Sequence, residues 1–117
     1  MAADPSSSRT FTLKDAQLLL PAVRSRTADA VEQARAVAER LDRLPNGHPD
    51  RDLLLTALDR VIAEWTSAIK AHGAEVKGLW LVDFDTGEGY YCWRYPEAAV
   101  QHYHGYDEGF AGRMKIV

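Results

Sequence analysis

The residues whose side chains could do chemistry lie close together near the end of the chain, between residues 79 and 113. This stretch holds the only cysteine, Cys92, two of the four histidines and all five tyrosines. The two histidines, His102 and His104, stand two positions apart. Thiolate, imidazole and carboxylate groups are the ligands that zinc and related divalent transition metals use in proteins. With Asp83 as the fourth donor, these side chains predict a metal site, although their spacing matches no CxxC, HExxH or HxxxH pattern.

The same residues allow two other interpretations. Cys92 could be a nucleophile with His102 or His104 as its base, and Arg94 could stabilise the thiolate. Nothing in the sequence marks an oxyanion hole, so this hypothesis ranks below the metal site. Alternatively, Cys92 could be a small buried hydrophobe, and the histidines could simply lie on the polar edge of a sheet.

Two arginines predict a ligand site of another kind. Arg94 and Arg113, with the glycines at 109 and 112, could hold a small anion through guanidinium groups and backbone amides. The glycines could equally do no more than form a loop, and Arg94 could instead pair with Asp83 across two strands. There is no G-x-G-x-x-G or P-loop pattern, so nucleotide binding has no support.

Charge and composition argue against several functional classes. A net charge of −3 leaves no basic surplus to neutralise phosphates, so the tyrosines are better interpreted as core or interface residues than as a stacking surface for nucleic acid. A single cysteine forms no intramolecular disulfide, which fits a reducing compartment. No apolar run approaches the roughly 20 residues that span a bilayer, and the first residues do not resemble a signal peptide. We therefore expect a cytoplasmic protein that binds neither membranes nor nucleic acid.

The elements that must position the candidate site are β-strands. Apolar and polar residues alternate over residues 79–84, and residues 85–88 are typical of a turn. A return strand over residues 90–95 and a second turn around Pro96 then lead to a third strand over about 100–104. The pattern predicts a small antiparallel sheet of three or so strands.

The two faces of this sheet should differ, because side chains alternate along a strand and opposed residues share a face. A two-residue loop at Thr86 and Gly87 would place Val82 opposite Tyr91 and Asp83 opposite Tyr90. The apolar face, which should cover the helices, would comprise Trp80, Val82, Phe84, Tyr91, Trp93, Tyr95 and Tyr103. The polar face would collect Asp83, Tyr90, Cys92, Arg94, His102 and His104. The candidate site would then lie on the side of the sheet turned away from the helices.

The first helix should begin after an N-cap at Thr12, whose hydroxyl can accept a hydrogen bond from the amide of Asp15. It should end around Leu44, and its apolar positions recur at alternating spacings of three and four. These positions are Leu20, Val23, Thr27, Ala30, Ala34, Val37, Leu41 and Leu44. Because proline removes a backbone donor, we expect a kink near residues 17–21 or a helix that restarts at Pro21.

A second helix should begin near Asp50 and run to about His72. Its apolar positions are Leu54, Leu58, Val61, Trp65, Ala68 and His72. The short connection makes the two helices an antiparallel hairpin over residues 10–73, packed on a sheet and C-terminal loop over residues 74–117. The predicted fold is therefore a single α+β domain after a disordered tail over residues 1–9. At about 1.5 Å per residue the first helix would be roughly 45 Å long, so part of its apolar stripe should meet a second copy in a homodimer.

Four segments of the chain form an ordered set. They are FTLKDAQLLLPAVR (11–24), GLWLVDF (78–84), YCWR (91–94) and HYHGYDEGFAGR (102–113). Together they resemble an uncharacterised bacterial family, the domain of unknown function 2203, over nearly the whole chain. The resemblance implies no established activity. From the residues themselves we expect a small binding or interaction module that holds a metal or small ligand, with a metal- or cysteine-dependent enzyme as the alternative.

Overall fold

The computed structural model describes residues 9–116. Within them the chain forms two helices and then a five-stranded antiparallel sheet, which confirms the predicted α+β fold with a helical hairpin. Helix α1 spans Leu13–Asp42 and α2 spans Asp50–Ala71. The strands are β1 (Glu75–Gly78), β2 (Leu81–Asp85), β3 (Tyr90–Arg94), β4 (His102–His104) and β5 (Met114–Lys115). Residues 1–8 of the predicted disordered tail lie outside the described residues.

Helix α1 begins as predicted at Thr12. The Asp15 amide donates to the Thr12 hydroxyl over 3.0 Å, and the Thr12 amide donates to the Asp15 carboxylate over 3.1 Å. This reciprocal pair satisfies two amides that the first turn would otherwise leave free. The predicted restart at Pro21 is wrong, because α1 continues through this residue. Pro21 is exposed, whereas Leu20 and Val23 beside it are buried in the core, and their packing offsets the missing backbone bond.

The predicted apolar positions of both helices face inward, and none of them is exposed.

One polar contact joins the two helices in the core. The Trp65 indole donates to the Thr27 hydroxyl over 2.9 Å, and that hydroxyl donates to the Val23 carbonyl over 2.7 Å. Trp65 and Thr27 are both fully buried, so the indole N–H depends on the Thr27 hydroxyl for its partner.

Replacing Thr27 with valine is expected to lower the free energy of unfolding by about 1–3 kcal/mol, because the Trp65 N–H would lose its acceptor in a buried place. Thr27→Ser keeps the hydroxyl and serves as the control. Denaturant unfolding of the two variants measures the difference. Because Thr27→Ser loses a buried methyl group, both variants are compared with the wild type, and a valine variant as stable as the wild type would show that the hydrogen bond contributes nothing.

The strands pair in the order β1-β2-β3-β4-β5. Val82 lies opposite Trp93, and Asp83 lies opposite Cys92, so the predicted register of β2 and β3 is wrong by two residues. The reason is the connecting loop, which has four residues rather than two. The Thr86 hydroxyl accepts the amides of Glu88 and Gly89 and holds this longer loop closed. A shift of two residues leaves every side chain on its predicted face.

The sequence pattern missed the two edge strands and misplaced Trp80. Strand β1 extends the sheet beyond β2, and β5 extends it beyond β4. Trp80 lies in the turn between β1 and β2 with a φ of 61°, although its ring still packs edge-on against Trp65, with the centroids 4.9 Å apart. Trp80 therefore reaches the apolar side of the sheet from a turn.

The hydrophobic core lies between the helical hairpin and one face of the sheet. Its buried members are Phe11, Ala16, Leu20, Val23, Ala30, Trp65, Ile69, Ala74, Val82, Phe84, Trp93 and Val100. Leu41 and Leu54 are buried outside this cluster, nearer the tip of the hairpin. The radius of gyration of 16.3 Å exceeds the roughly 13 Å of a compact chain of this length, so the hairpin projects beyond the sheet.

Neither helix in residues 9–116 has the length and apolar character needed to cross a membrane.

Candidate metal centre

The polar face of the sheet carries the candidate site. Across the strands, Asp83 lies opposite Cys92 and Cys92 lies opposite His102, which gives one row of neighbours. In the next row Tyr90 lies opposite His104. All five residues therefore share the face turned away from the helices, as the alternation predicts.

The structure brings three of the four predicted metal ligands together. The ligand atoms of Asp83, Cys92 and His104 all lie within 4.8 Å of one another. Their exposed fractions are 1%, 0% and 4%. His102 stays outside this group, although it is the direct cross-strand neighbour of Cys92. Its Nδ1 atom lies 3.8 Å from the carboxylate of Glu97. The described residues thus contain a buried Asp–Cys–His group that could hold a metal ion.

The imidazole of His104 is fixed at both nitrogen atoms. Nδ1 lies 2.8 Å from the carbonyl oxygen of Gly105, and Nε2 lies 2.8 Å from Oδ2 of Asp83. A carbonyl oxygen only accepts, so Nδ1 must carry a proton and donate it. One further proton is shared between Nε2 and the Asp83 carboxyl group. When that proton is removed, a nitrogen lone pair and a carboxylate oxygen face the same space, which is the arrangement that a cation needs.

Burying the carboxyl group of Asp83 is costly. Burial raises the pKa of its carboxyl group, and the neighbouring His104 only partly opposes this effect. Its Oδ1 atom has no hydrogen-bond partner among residues 9–116, although the Cys92 thiol lies close enough to the carboxyl group to lower its pKa. Buried polar atoms normally have partners, so an acceptor left without one calls for an explanation. A cation bound at this carboxylate would supply it.

Cys92 is a neutral thiol in the absence of a metal. Burial raises its pKa to about 12, and the charge of the adjacent Asp83 acts in the same direction. A nucleophilic cysteine needs an electropositive, partly exposed surrounding that lowers its pKa, and this site provides the opposite. The buried surroundings of Cys92 therefore count against the cysteine-nucleophile alternative, whereas a bound metal ion could displace the thiol proton.

The two predicted anion-binding arginines have different surroundings. Arg113 forms two hydrogen bonds with the carboxylate of Glu97, at 3.0 and 2.6 Å. Burial alone would raise the pKa of Glu97, but the hydrogen bonds from Arg113 and from the Arg94 backbone amide, together with the charge of Arg113, hold the pKa below its usual value. Arg94 is exposed, lies opposite Leu81 rather than Asp83, and has its guanidinium 5.3 Å from the Phe110 ring. The expected pairing of Arg94 with Asp83 is therefore absent. The guanidinium of Arg113 is already neutralised by Glu97.

The segment over residues 105–113, here called the C-terminal loop, covers the polar face. At one end the Tyr106 hydroxyl donates to the Asp85 carboxylate over 2.6 Å. At the other end Arg113 binds Glu97 and also contacts the Cys92 sulfur. Because the helices cover the opposite face, it is this loop that shields Cys92 from solvent.

Arg113→Met is expected to speed the reaction of Cys92 with a thiol reagent by at least about fivefold, because loss of the charge-assisted pair that fastens the C-terminal loop exposes a fully buried thiol, and this gain in access outweighs the loss of a guanidinium that favours the thiolate. The rate can be followed directly, since Cys92 is the only thiol in the protein. Arg94→Met is the control, because Arg94 also approaches Phe110 but makes no ion pair within residues 9–116. Identical rates in the two variants would contradict the role given to the Arg113–Glu97 pair.

A cavity of about 290 Å³ adjoins the group beneath the C-terminal loop. It is lined by Lys77, Leu81, Asp83, Tyr90, His104, Tyr106, Glu108, Gly109 and Phe110. A larger cavity of about 450 Å³ also touches His104, but neither Asp83 nor Cys92 lines it. The smaller cavity is therefore the one that leads to the buried ligands, and we call it the entry cavity.

Three residues that help to build the site were not predicted as part of it. Gly105 provides the carbonyl that fixes the His104 ring, Glu97 binds Arg113, and Lys77 lines the entry cavity. Glu97 and Gly105 had been assigned only to turns or loops, and Lys77 lies in a strand that the pattern missed. Of these three residues, only Gly105 could have been noticed in the sequence, because it directly follows the candidate ligand His104.

The fold and the buried group define a small α+β protein with a candidate metal-binding site. The family model described as "Uncharacterized conserved protein (DUF2203)" matches residues 9–116, so the chain belongs to this family. This agrees with the resemblance of the four segments. Comparison with curated proteins and with solved structures gives no significant match.

Proposed function

We propose that this protein binds one divalent transition metal ion, of which zinc is the best fit, through Asp83, Cys92 and His104. The observation that carries the proposal is that the three ligand atoms lie within 4.8 Å of one another at a fully buried position. Burying a thiol, a carboxyl and an imidazole together is costly unless they are paired with each other or with a cation. The carboxylate atom without a partner supports the cation.

The donor set favours a zinc-type metal over magnesium or calcium. Magnesium and calcium prefer oxygen ligands, whereas thiolate and imidazole suit zinc, cobalt and related ions. Residues around the group provide the support that such ligands usually have. Gly105 accepts the Nδ1 proton of His104 and aims Nε2 at the site. The Arg113 guanidinium contacts the Cys92 sulfur and would stabilise it as a thiolate.

We further propose that the metal-bound protein works as a binding module in the cytoplasm. The single free cysteine, which is buried, supports a reducing compartment. The metal would tie β2, β3 and β4 together beneath the C-terminal loop. An enzymatic role would require a position on the metal that a substrate can reach.

Titration of the metal-free protein with Co²⁺ tests the proposal. A Co²⁺ ion bound by Cys92 gives a thiolate-to-metal charge-transfer band in the near ultraviolet, which should saturate at one equivalent. Cys92→Ser should lack this band while keeping the circular dichroism spectrum of the folded protein. If folded wild-type protein gives no thiolate band, the three residues form a hydrogen-bonded group without a metal, and the proposal fails.

We also propose that the protein forms a homodimer through the tip of the helical hairpin. This end projects beyond the sheet, and Leu53 and Leu55 are 70% and 44% exposed there. Light scattering should give twice the chain mass of 13.1 kDa for the wild type and the single mass for Leu53→Glu/Leu55→Glu. Leu18→Glu, which changes an exposed leucine elsewhere, should remain dimeric. A monomeric wild type would refute the dimer.

A further inference from the structure

We propose that the metal keeps one coordination position for an external ligand, which enters through the entry cavity and is a small organic carboxylate. This inference rests on the proposed metal site. It would make the site one that binds and releases a small molecule rather than a purely structural one. The argument uses the number of protein ligands, the position of the cavity and the chemistry of its walls.

The protein supplies three ligands, and each of the other nearby carboxylates already has a partner. Glu108 lines the entry cavity, but its carboxylate accepts the Gly105 amide over 3.0 Å. Glu75 lies opposite Asp83, but its carboxylate is 3.1 Å from the Lys77 ammonium and accepts the Tyr90 hydroxyl over 3.3 Å. Glu97 is held by Arg113. Structural zinc sites generally have four protein ligands, whereas three protein ligands with an open fourth position are typical of sites that bind water or substrate.

The entry cavity lies on the open side of the group. Asp83 and His104 line it, whereas Cys92 does not. An external ligand would therefore approach beside the carboxylate and the imidazole, with the thiolate behind the metal. A volume of about 290 Å³ is near the lower end of the range for small-molecule sites, so the ligand must be small.

The walls of the entry cavity indicate the chemical class of the ligand. Tyr90, Tyr106 and Phe110 give it an aromatic lining, and the Tyr90 and Tyr106 rings meet edge to face with centroids 5.1 Å apart. Lys77 is the only lysine or arginine among residues 9–116 that lines the cavity, and its ammonium lies 4.6 Å from the centre of the Tyr90 ring. Glu75 and the Tyr90 hydroxyl, at 3.1 and 3.3 Å, occupy two of the three N–H donors of Lys77 and leave the third for a ligand. One metal position and this remaining donor match the two oxygens of a carboxylate. A phosphate dianion would call for more donors than this cavity has.

Titration of the Co²⁺-loaded protein with benzoate tests the inference. We expect a saturable change in the visible d–d bands, because benzoate would place a carboxylate on the metal and a ring against the aromatic walls. Benzamide has the same shape without the charge and should leave the bands unchanged. Lys77→Met should bind benzoate at least about tenfold more weakly, whereas Lys115→Met should match the wild type. Lys115 lies on the same face of the sheet, opposite His102, but does not line the cavity.

The outcomes separate this inference from the metal site itself. If no thiolate-to-Co²⁺ band forms, the metal site is refuted and the inference falls with it. If the band forms but benzoate leaves the d–d bands unchanged, the metal site stands and the open position is refuted. If benzoate binds equally well to the wild type and to Lys77→Met, the assigned carboxylate position in the entry cavity is refuted. Retention of the thiolate band in Lys77→Met shows that this variant is folded.

Discussion

Replacing His104 with alanine is expected to weaken Zn²⁺ binding by at least about 100-fold, whereas replacing His102 should change the affinity by no more than about threefold. The two histidines lie on the same strand and the same face of the sheet. Only His104 has a ring nitrogen aimed at Asp83, whereas the nearest acid to His102 is Glu97. The pair of variants therefore isolates the ligand from its neighbour.

Competition with a chromophoric chelator measures the two zinc affinities. His104→Ala also leaves buried Asp83 without its partner, so thermal unfolding must show that this variant is folded. His104→Gln is a second test, because its amide can donate to Asp83 but is a poor zinc ligand. Equal losses in His102→Ala and His104→Ala would mean that the metal uses both histidines, or that neither is a ligand and both act on the fold.

The zinc affinity should rise at least about tenfold for each unit of pH, without levelling off between about pH 6 and 9. The metal must displace the proton of Cys92, whose pKa of about 12 keeps it a thiol throughout this range. Lowering the pH therefore favours the metal-free form, and raising it favours the metal-bound form. An ordinary exposed cysteine, with a pKa of about 8.5, would stop contributing above that pH.

Calorimetric titration at pH 9 in two buffers with different ionisation enthalpies counts the protons that zinc binding releases. We expect at least one proton per zinc ion. Release of no proton at this pH would mean that the thiolate already exists without the metal. That result would contradict the buried environment assigned to Cys92, and it would favour the cysteine-nucleophile alternative.

Local sequence signals were enough to predict the helical hairpin. The Thr12–Asp15 capping pair is a four-residue pattern, and the repeat of apolar positions records the buried stripe of each helix directly. The predicted restart at Pro21 was wrong because the cost of a proline depends on packing by the residues around it. That packing is a tertiary property and cannot be inferred from the proline alone.

The faces of the sheet could be predicted more reliably than its register. Alternation depends only on each strand, whereas register depends on the length of the loop, which the side chains of Asp85 and Thr86 set at four residues. An error of two residues preserved the faces, so Asp83 and Cys92 still met on one side. Strand β5 was missed because two residues are too few to show a period, and β1 was missed because Glu75–Gly78 contains a single apolar residue, Val76, and ends in a glycine.

The choice between His102 and His104 was beyond the sequence. They are two residues apart on one strand, so the alternation of side chains places them on the same face of the sheet. The difference lies in their partners, which are Asp83 on another strand for His104 and Glu97 in the preceding turn for His102. The path of the C-terminal loop over the polar face, which buries the site, also depends on such contacts.

The most direct test of the metal site is elemental analysis of the untagged protein after incubation with Zn²⁺ and removal of unbound metal. The proposed site predicts about one zinc ion per chain in the wild type and in His102→Ala, and little zinc in Cys92→Ser and His104→Ala. Folded wild-type protein that retains no zinc would contradict the proposal that Asp83, Cys92 and His104 form a metal site.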